Sequence, residues 1–147
     1  MTDFSDSPRP RTSALQAVNP TLQNDTSLQL ALAIAQSADD RKGSNIQILP
    51  VGDVSYLADY FVLVTGFSAV QVRAIARNIQ EDVETKLHRK PLRTEGQLES
   101  SWILQDYGEV IVHIFMPEER DFYDLEAFWG HAEPIDFATL AAASEAQ

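Results

Sequence analysis

The sequence predicts an α/β fold, a single αββαβββα domain built on a mixed five-stranded sheet, and three observations lead to it. Tyr60-Phe61-Val62-Leu63-Val64-Thr65 is aromatic and β-branched with no polar alternation, the pattern of a strand buried on both faces. Gly66 ends it, and Ser68-x-x-Gln71 then has the residues of a capping box, which opens a helix. Ser101 to Gln105 and Val110 to Met116 read as two more strands, with Asp106-Tyr107-Gly108-Glu109 between them as a hairpin turn.

The remaining elements follow in chain order. Leu28, Ala31, Leu32 and Ala35 fall on one helical face, with Asp25, Thr26 or Ser27 as the cap and Gly43 as the stop. Ile46-Gln47-Ile48 alternates as a strand that Pro50, Gly52 and Asp53 break. In the second helix, Val72, Ile75, Ala76, Ile79, Val83 and Leu87 recur at helical spacing as far as His88. Pro91-Leu92-Arg93-Thr94-Glu95 reads as the third strand, reached from the second by a parallel crossover through that helix. Pro117-Glu118-Glu119 opens a last helix, its acids complementing the helix dipole. Phe122, Leu125 and Trp129 give this helix an apolar face, and Gly130 closes it. Residues 1–26 are expected to be a disordered leader, with Pro8, Pro10 and Pro20 among small polar residues. The domain is expected over 27–137, and an alanine-rich tail, flexible or helical, over 138–147.

Composition narrows the function classes. The 147 residues carry 22 acidic and 11 basic side chains, a net charge of −11, which repels phosphate backbones and argues against direct nucleic-acid binding. With no cysteine there is no disulfide, thiolate nucleophile or zinc–thiolate site. No apolar run approaches the ~18 residues of a membrane span, and Met1-Thr2-Asp3-Phe4 does not begin a secretory signal, so a soluble, cytoplasmic chain is expected. The charge is uneven. From Arg41 to Arg93 the local net is +3, whereas Glu95 to Asp136 holds eleven acids and only Arg120. This acidic half reads either as a solvated face or as a docking surface for a basic partner.

Reactive groups are sparse. His113 sits mid-strand, where a hydrogen-bonded core role outweighs that of a base, and His88 and His131 lie at or beyond helix ends. Gly66-Phe67-Ser68 at a helix start has the form of a phosphate-binding turn, as at the start of some nucleotidyltransferase sites. Those enzymes also need paired carboxylates on a neighbouring strand to hold metal ions, and the third strand carries Glu95 alone. No catalytic, cofactor-binding or metal-binding residue is therefore predicted.

Six motifs in order carry a resemblance. Asp59-Tyr60-Phe61-Val62-Leu63-Val64-Thr65-Gly66 is followed by Ser68 and Gln71-Val72-Arg73-Ala74-Ile75-Ala76, and then by Pro91-Leu92-Arg93-x-Glu95-Gly96. Trp102-Ile103-Leu104-x-Asp106-Tyr107-Gly108, Val110 to Phe115, and Glu119-x-x-x-Tyr123-Asp124-Leu125-Glu126-x-x-Trp129-Gly130 complete the set. Between Leu28 and Pro134 the chain resembles the ribosomal silencing factor (RsfS, Iojap-like) family.

The resemblance implies a nucleotidyltransferase-like fold without the catalytic carboxylates, and a translational repressor that is not an enzyme. It implies binding to the fourteenth protein of the large ribosomal subunit, with steric blocking of small-subunit joining when nutrients are scarce. The contact surface it implies lies around the fourth strand. Alternation places Trp102 and Leu104 on one sheet face with Asp106, as apolar anchors beside an acid. Glu95, Asp106 and Glu109 would meet basic residues of the partner, and Tyr107 completes the expected contact set. From the residues alone, Trp102 and Leu104 fit equally under a helix, and the resemblance shifts Trp102 toward the interface. The competing readings are a nucleotide-binding or nucleotidyltransferase-like enzyme, and a self-associating module that forms a homodimer off the ribosome.

Overall fold

The structure, a computed structural model, describes residues 25–52, 57–128 and 133–140. The elements are α1 (Thr26–Asp40), β1 (Ser44–Pro50), β2 (Tyr60–Thr65), α2 (Ala69–Leu87), β3 (Arg93–Glu95), β4 (Trp102–Asp106), β5 (Val110–Phe115), α3 (Pro117–Tyr123), α4 (Leu125–Phe128) and β6 (Ile135–Asp136). Most of the expected leader, Asp53, Trp129, Gly130, His131 and the tail beyond residue 140 lie outside the described residues.

The α/β class stands, with a mixed sheet of order β3-β4-β5-β2-β1-β6. Its sixth strand is an addition to the five expected: Ile135 and Asp136 pair with Ile48 and Gln47 at the β1 edge. Two residues are too few to show a strand period, so only tertiary pairing defines this element.

The crossover from β2 differs from expectation in its destination. β2 pairs in parallel with β5, from Tyr60↔Val110 to Thr65↔Phe115, and not with β3. β5 offers apolar side chains on both faces, as a central position requires, whereas Arg93-Thr94-Glu95 suits an edge. β4 pairs antiparallel with β3 and with β5, as the hairpin predicts.

Both helix starts follow their capping residues. The Asp25 carboxylate accepts from the Leu28 N–H and also from the Tyr60 hydroxyl at 2.7 Å, which ties α1 to β2. The Ser68 hydroxyl accepts from the Gln71 N–H, while Gln71 Oε1 accepts from the Phe67 N–H, one residue ahead of the usual capping-box partner. The last helix is broken. Asp124 adopts φ +46° and its side chain accepts from the Ala127 N–H, so α3 stops and α4 starts afresh. An aspartate tolerates this left-handed conformation and caps well, which the apolar spacing of Phe122, Leu125 and Trp129 does not register.

The core is unequal on the two faces of the sheet. One face is covered by α1 and α2, whose Leu28, Ile34, Val72, Ile75 and Ile79 pack on Ile48, Val62, Val64, Val112 and Ile114. The other carries a smaller cluster of Leu49, Val51, Ala58, Phe61, Leu63 and Phe115, with Trp102, Ile111 and Leu125 half-buried against it.

The β3–β4 connection depends on one glycine. Gly96 has φ +86°, and a Cβ there would lie 2.0 Å from the Trp102 carbonyl oxygen, a backbone atom that cannot swing aside. Gly96→Ala is expected to cost about 2–4 kcal/mol and to loosen the β4 edge, measured as a lower urea midpoint.

Candidate functional site

The alternation of β4 decides which residues share a surface. Trp102, Leu104 and Asp106 are half-buried on the sparsely covered face, while Ile103, Gln105 and Tyr107 are buried on the helix-covered side. Register sets Trp102 opposite Phe115, Leu104 opposite His113 and Asp106 opposite Ile111 on β5. On the outer side, Glu95 pairs with Leu104 and Arg93 with Asp106. The result is a shallow apolar strip bordered by charge.

Trp102 is the centre of an aromatic cluster. Its ring lies 5.3 Å from Phe115, 5.8 Å from His113 and 4.7 Å from Tyr123 of α3, centroid to centroid. Tyr123 in turn meets Phe122 edge-on at 4.9 Å. The Trp102 Nε1–H donates to His113 Nδ1 at 3.1 Å, which fixes the indole plane. Trp102 thus belongs partly to the packing of this face and partly to its surface, between the two readings its sequence allows. Phe122 departs from expectation. Read as part of the apolar face of the last helix, it is 79% exposed beside Tyr123, because the break at Asp124 turns α3 independently of α4.

His113 has the core role expected of it. It is 7% exposed, and burial holds its imidazole down to about 4. Accepting the indole proton at Nδ1 makes Nε2–H the neutral tautomer, so protonation of Nδ1 breaks the bond to Trp102.

The acids are less free than their number suggests. Glu109 accepts two hydrogen bonds from Arg89, at 2.8 and 3.0 Å, and this holds its carboxyl below the usual range. Its backbone oxygen also accepts from the Asp59 and Tyr60 N–H groups, so Glu109 clamps the hairpin to β2. Asp106 accepts from the Gly108 N–H at 2.8 Å and faces Arg93 Nε at 3.4 Å; Glu95 is 3.4 Å from Arg93 Nη1. Glu118 and Asp121 on α3 are exposed next to the aromatic pair. Tyr107 stands apart from the other expected contact residues: at 1% exposure it lies in the helix-side core, where burial pushes its hydroxyl up to about 12, and it offers no surface to a partner. Asp59 accepts from the Ser27 hydroxyl at 2.7 Å and so joins α1 to the approach to β2.

Sequence reasoning brought together Trp102, Leu104, Asp106 and Glu95 and missed Tyr123, Phe122, Ile111 and Arg93. Ile111 was legible, since it falls opposite Asp106 in any two-strand register that pairs Trp102 with Phe115. Among the described residues no group of three His, Asp or Glu is placed to hold a metal ion, and no helix is long and apolar enough to cross a membrane.

His113 carries a pH prediction. Between its ordinary value of 6.5 and about 4, the unfolded chain binds a proton that the folded chain does not, so this contribution is full above 6.5 and shrinks as pH falls. Stability is expected to drop by about 2 kcal/mol from pH 7 to pH 5 on this account. In His113→Asn the fall should be smaller by that amount, measured as the difference between urea midpoints at the two pH values.

A family model described as "Ribosomal silencing factor during starvation" matches residues 24–147. Among relatives, the Bacillus subtilis ribosomal silencing factor RsfS is 40% identical over 103 residues, 69% of this chain and 86% of that protein. The chloroplastic Iojap protein of Zea mays is 34% identical over 121 residues, 80% of this chain, and the aligned part spans about half (52%) of the maize protein's length. A crystal structure of a Chromobacterium violaceum protein superposes with a TM-score of 0.68 at 30% identity, covering 74% of this chain and 90% of the other.

Proposed function

The chain belongs to the ribosomal silencing factor family, and from that premise we propose that it represses translation by occupying the large ribosomal subunit so that the small subunit cannot join. The contact is with the fourteenth protein of the large subunit, in the cytoplasm, and no bond is made or broken: affinity and bulk suffice. The observation that carries this reading is the sparsely covered sheet face. There Trp102 is held upright by His113, with exposed Phe122 and Tyr123 beside it and acids around it.

The physics of that face suits docking better than chemistry. A fixed indole loses little conformational entropy when a partner covers it, and aromatic side chains dominate the binding energy of most interfaces. Leu104 and Ile111 extend the apolar centre, with Glu95 at its edge and Glu118 and Asp121 as exposed acids that steer a basic surface into place. A standard interface of roughly 800 Å² per partner fits such a strip and its rim. Off the ribosome, the same face pairs two copies of the chain.

Trp102→Ala is expected to weaken co-sedimentation with large subunits by about thirtyfold or more, the effect of losing a central aromatic anchor, while Leu98→Ala, at an exposed loop position, leaves it unchanged. Equal co-sedimentation of wild type and Trp102→Ala, with both folded by circular dichroism, would exclude this face as the docking surface.

A further inference from the structure

The helix-covered side of the sheet holds a second feature, independent of the ribosomal reading. Two helices cover about four strands, since helices pack 8–10 Å apart and strands about 4.8 Å apart. α2 lies over β4, where Gln105 reaches the Ala76 carbonyl, and past its outer edge the sheet runs on to β3. A groove of about 460 Å³ opens there, between Arg73, Arg77, Gln80, Glu81 and Glu84 on α2 and Thr94, Gln97, Ile103 and Gln105 across from them. That volume is in the range of small-molecule sites.

Two observations point to a ligand. First, Arg73 and Arg77 lie one turn apart, both exposed, and neither forms an ion pair among the described residues, although Glu81 is a further turn along from Arg77. Like charges at this spacing, in the N-terminal half of a helix, oppose both their neighbours and the helix dipole, so helix stability does not account for them. Second, Gln105 is fully buried, and its Nε2 donates to the Ala76 carbonyl at 2.9 Å, which identifies Oε1 as the remaining acceptor. Oε1 has no hydrogen-bond partner. A buried carbonyl oxygen without a donor is costly.

We propose that this groove binds a mononucleotide. Its phosphate lies between the Arg73 and Arg77 guanidinium groups, which are shaped for oxyanions. An N–H of its base reaches Gln105 Oε1, and the amides of Gln80 and Gln97 supply further donors and acceptors along the base edge. Oε1 is shielded from solvent in the structure, so the base reaches it only once the side chains over Gln105 move aside. Glu81 and Glu84 follow the arginines along α2, about 16 Å from Arg73 to Glu84, and repel a second anionic group. The site therefore takes a nucleoside monophosphate in preference to a triphosphate.

The test is a titration of the ¹⁵N-labelled full chain with AMP, with inorganic phosphate and ATP as comparisons, followed by amide shifts. AMP is expected to shift residues of α2 and β4 with a Kd on the order of 100 µM, and phosphate and ATP to bind at least about tenfold more weakly. Arg73→Gln/Arg77→Gln, both at exposed positions, should weaken AMP by about tenfold or more. Gln105→Met should weaken AMP about fivefold and leave phosphate unaffected. No shift at millimolar AMP, shifts that persist in the double arginine variant, or phosphate binding as tightly as AMP would each overturn the proposal. None of these readouts involves the ribosome, so failure here leaves the docking face untouched.

Discussion

β2 has all six of its residues buried, and the rest of the architecture follows from that constraint. A strand with apolar side chains on both faces needs a cover on each, at about 0.8 kcal/mol for every methylene kept from water. α1 and α2 supply one cover with two full stripes of aliphatic side chains. The second has to be assembled from α3, α4 and the sheet's own aromatic residues, because no further long helix is found among the described residues. The two faces differ in kind for this reason. One is a closed core and the other a thin, aromatic and partly open layer.

The thin layer is held in place by a charge, Arg120. Its guanidinium is 5% exposed, donates to the Asn45 carbonyl at 2.7 Å and to the Thr65 hydroxyl at 2.8 Å, and meets the Glu126 carboxylate at 2.6 Å. It also lies over the Phe115 ring at 5.7 Å. One side chain of α3 thus grips the ends of β1 and β2, and α4 through Glu126. A buried guanidinium is stable only with such partners. Its geometry fixes where α3 can sit, and so where Tyr123 meets Trp102. The exposed aromatic surface is therefore an outcome of an interior ion pair.

What the sequence revealed of this arrangement was local. The capping residues Asp25 and Ser68, the continuous apolar run of β2 and the β4–β5 hairpin were legible because each is written in adjacent residues. The β2–β5 pairing was not. It depends on comparing two strands fifty residues apart for which is the more apolar, and β3 lay nearer in the chain. The short β6 and the break at Asp124 were hidden for the same reason, since each is stabilised by a partner that no periodicity reveals. At the site, β4 alternation grouped Trp102, Leu104 and Asp106 correctly. Tyr107 was grouped with them by motif membership, although by parity along the strand it belongs with Ile103 and Gln105. Charge counting also overstated the free acid, because Glu109 and Asp106 each face an arginine from the basic half of the chain.

That pairing of acid with base changes what the local charge of Glu95 to Asp136 can do. An acid already bonded to arginine contributes little to the field felt by an approaching partner, since the two potentials nearly cancel beyond about a Debye length, ~8 Å at physiological ionic strength. Among the carboxylates left to steer are the exposed ones of α3, Glu118 and Asp121, on the same element that presents Phe122 and Tyr123. Attraction at a distance and apolar contact at close range are thereby combined on one short helix. The orientation of that helix is set from beneath by Arg120, so the side chain that closes the second core also aims the surface above it.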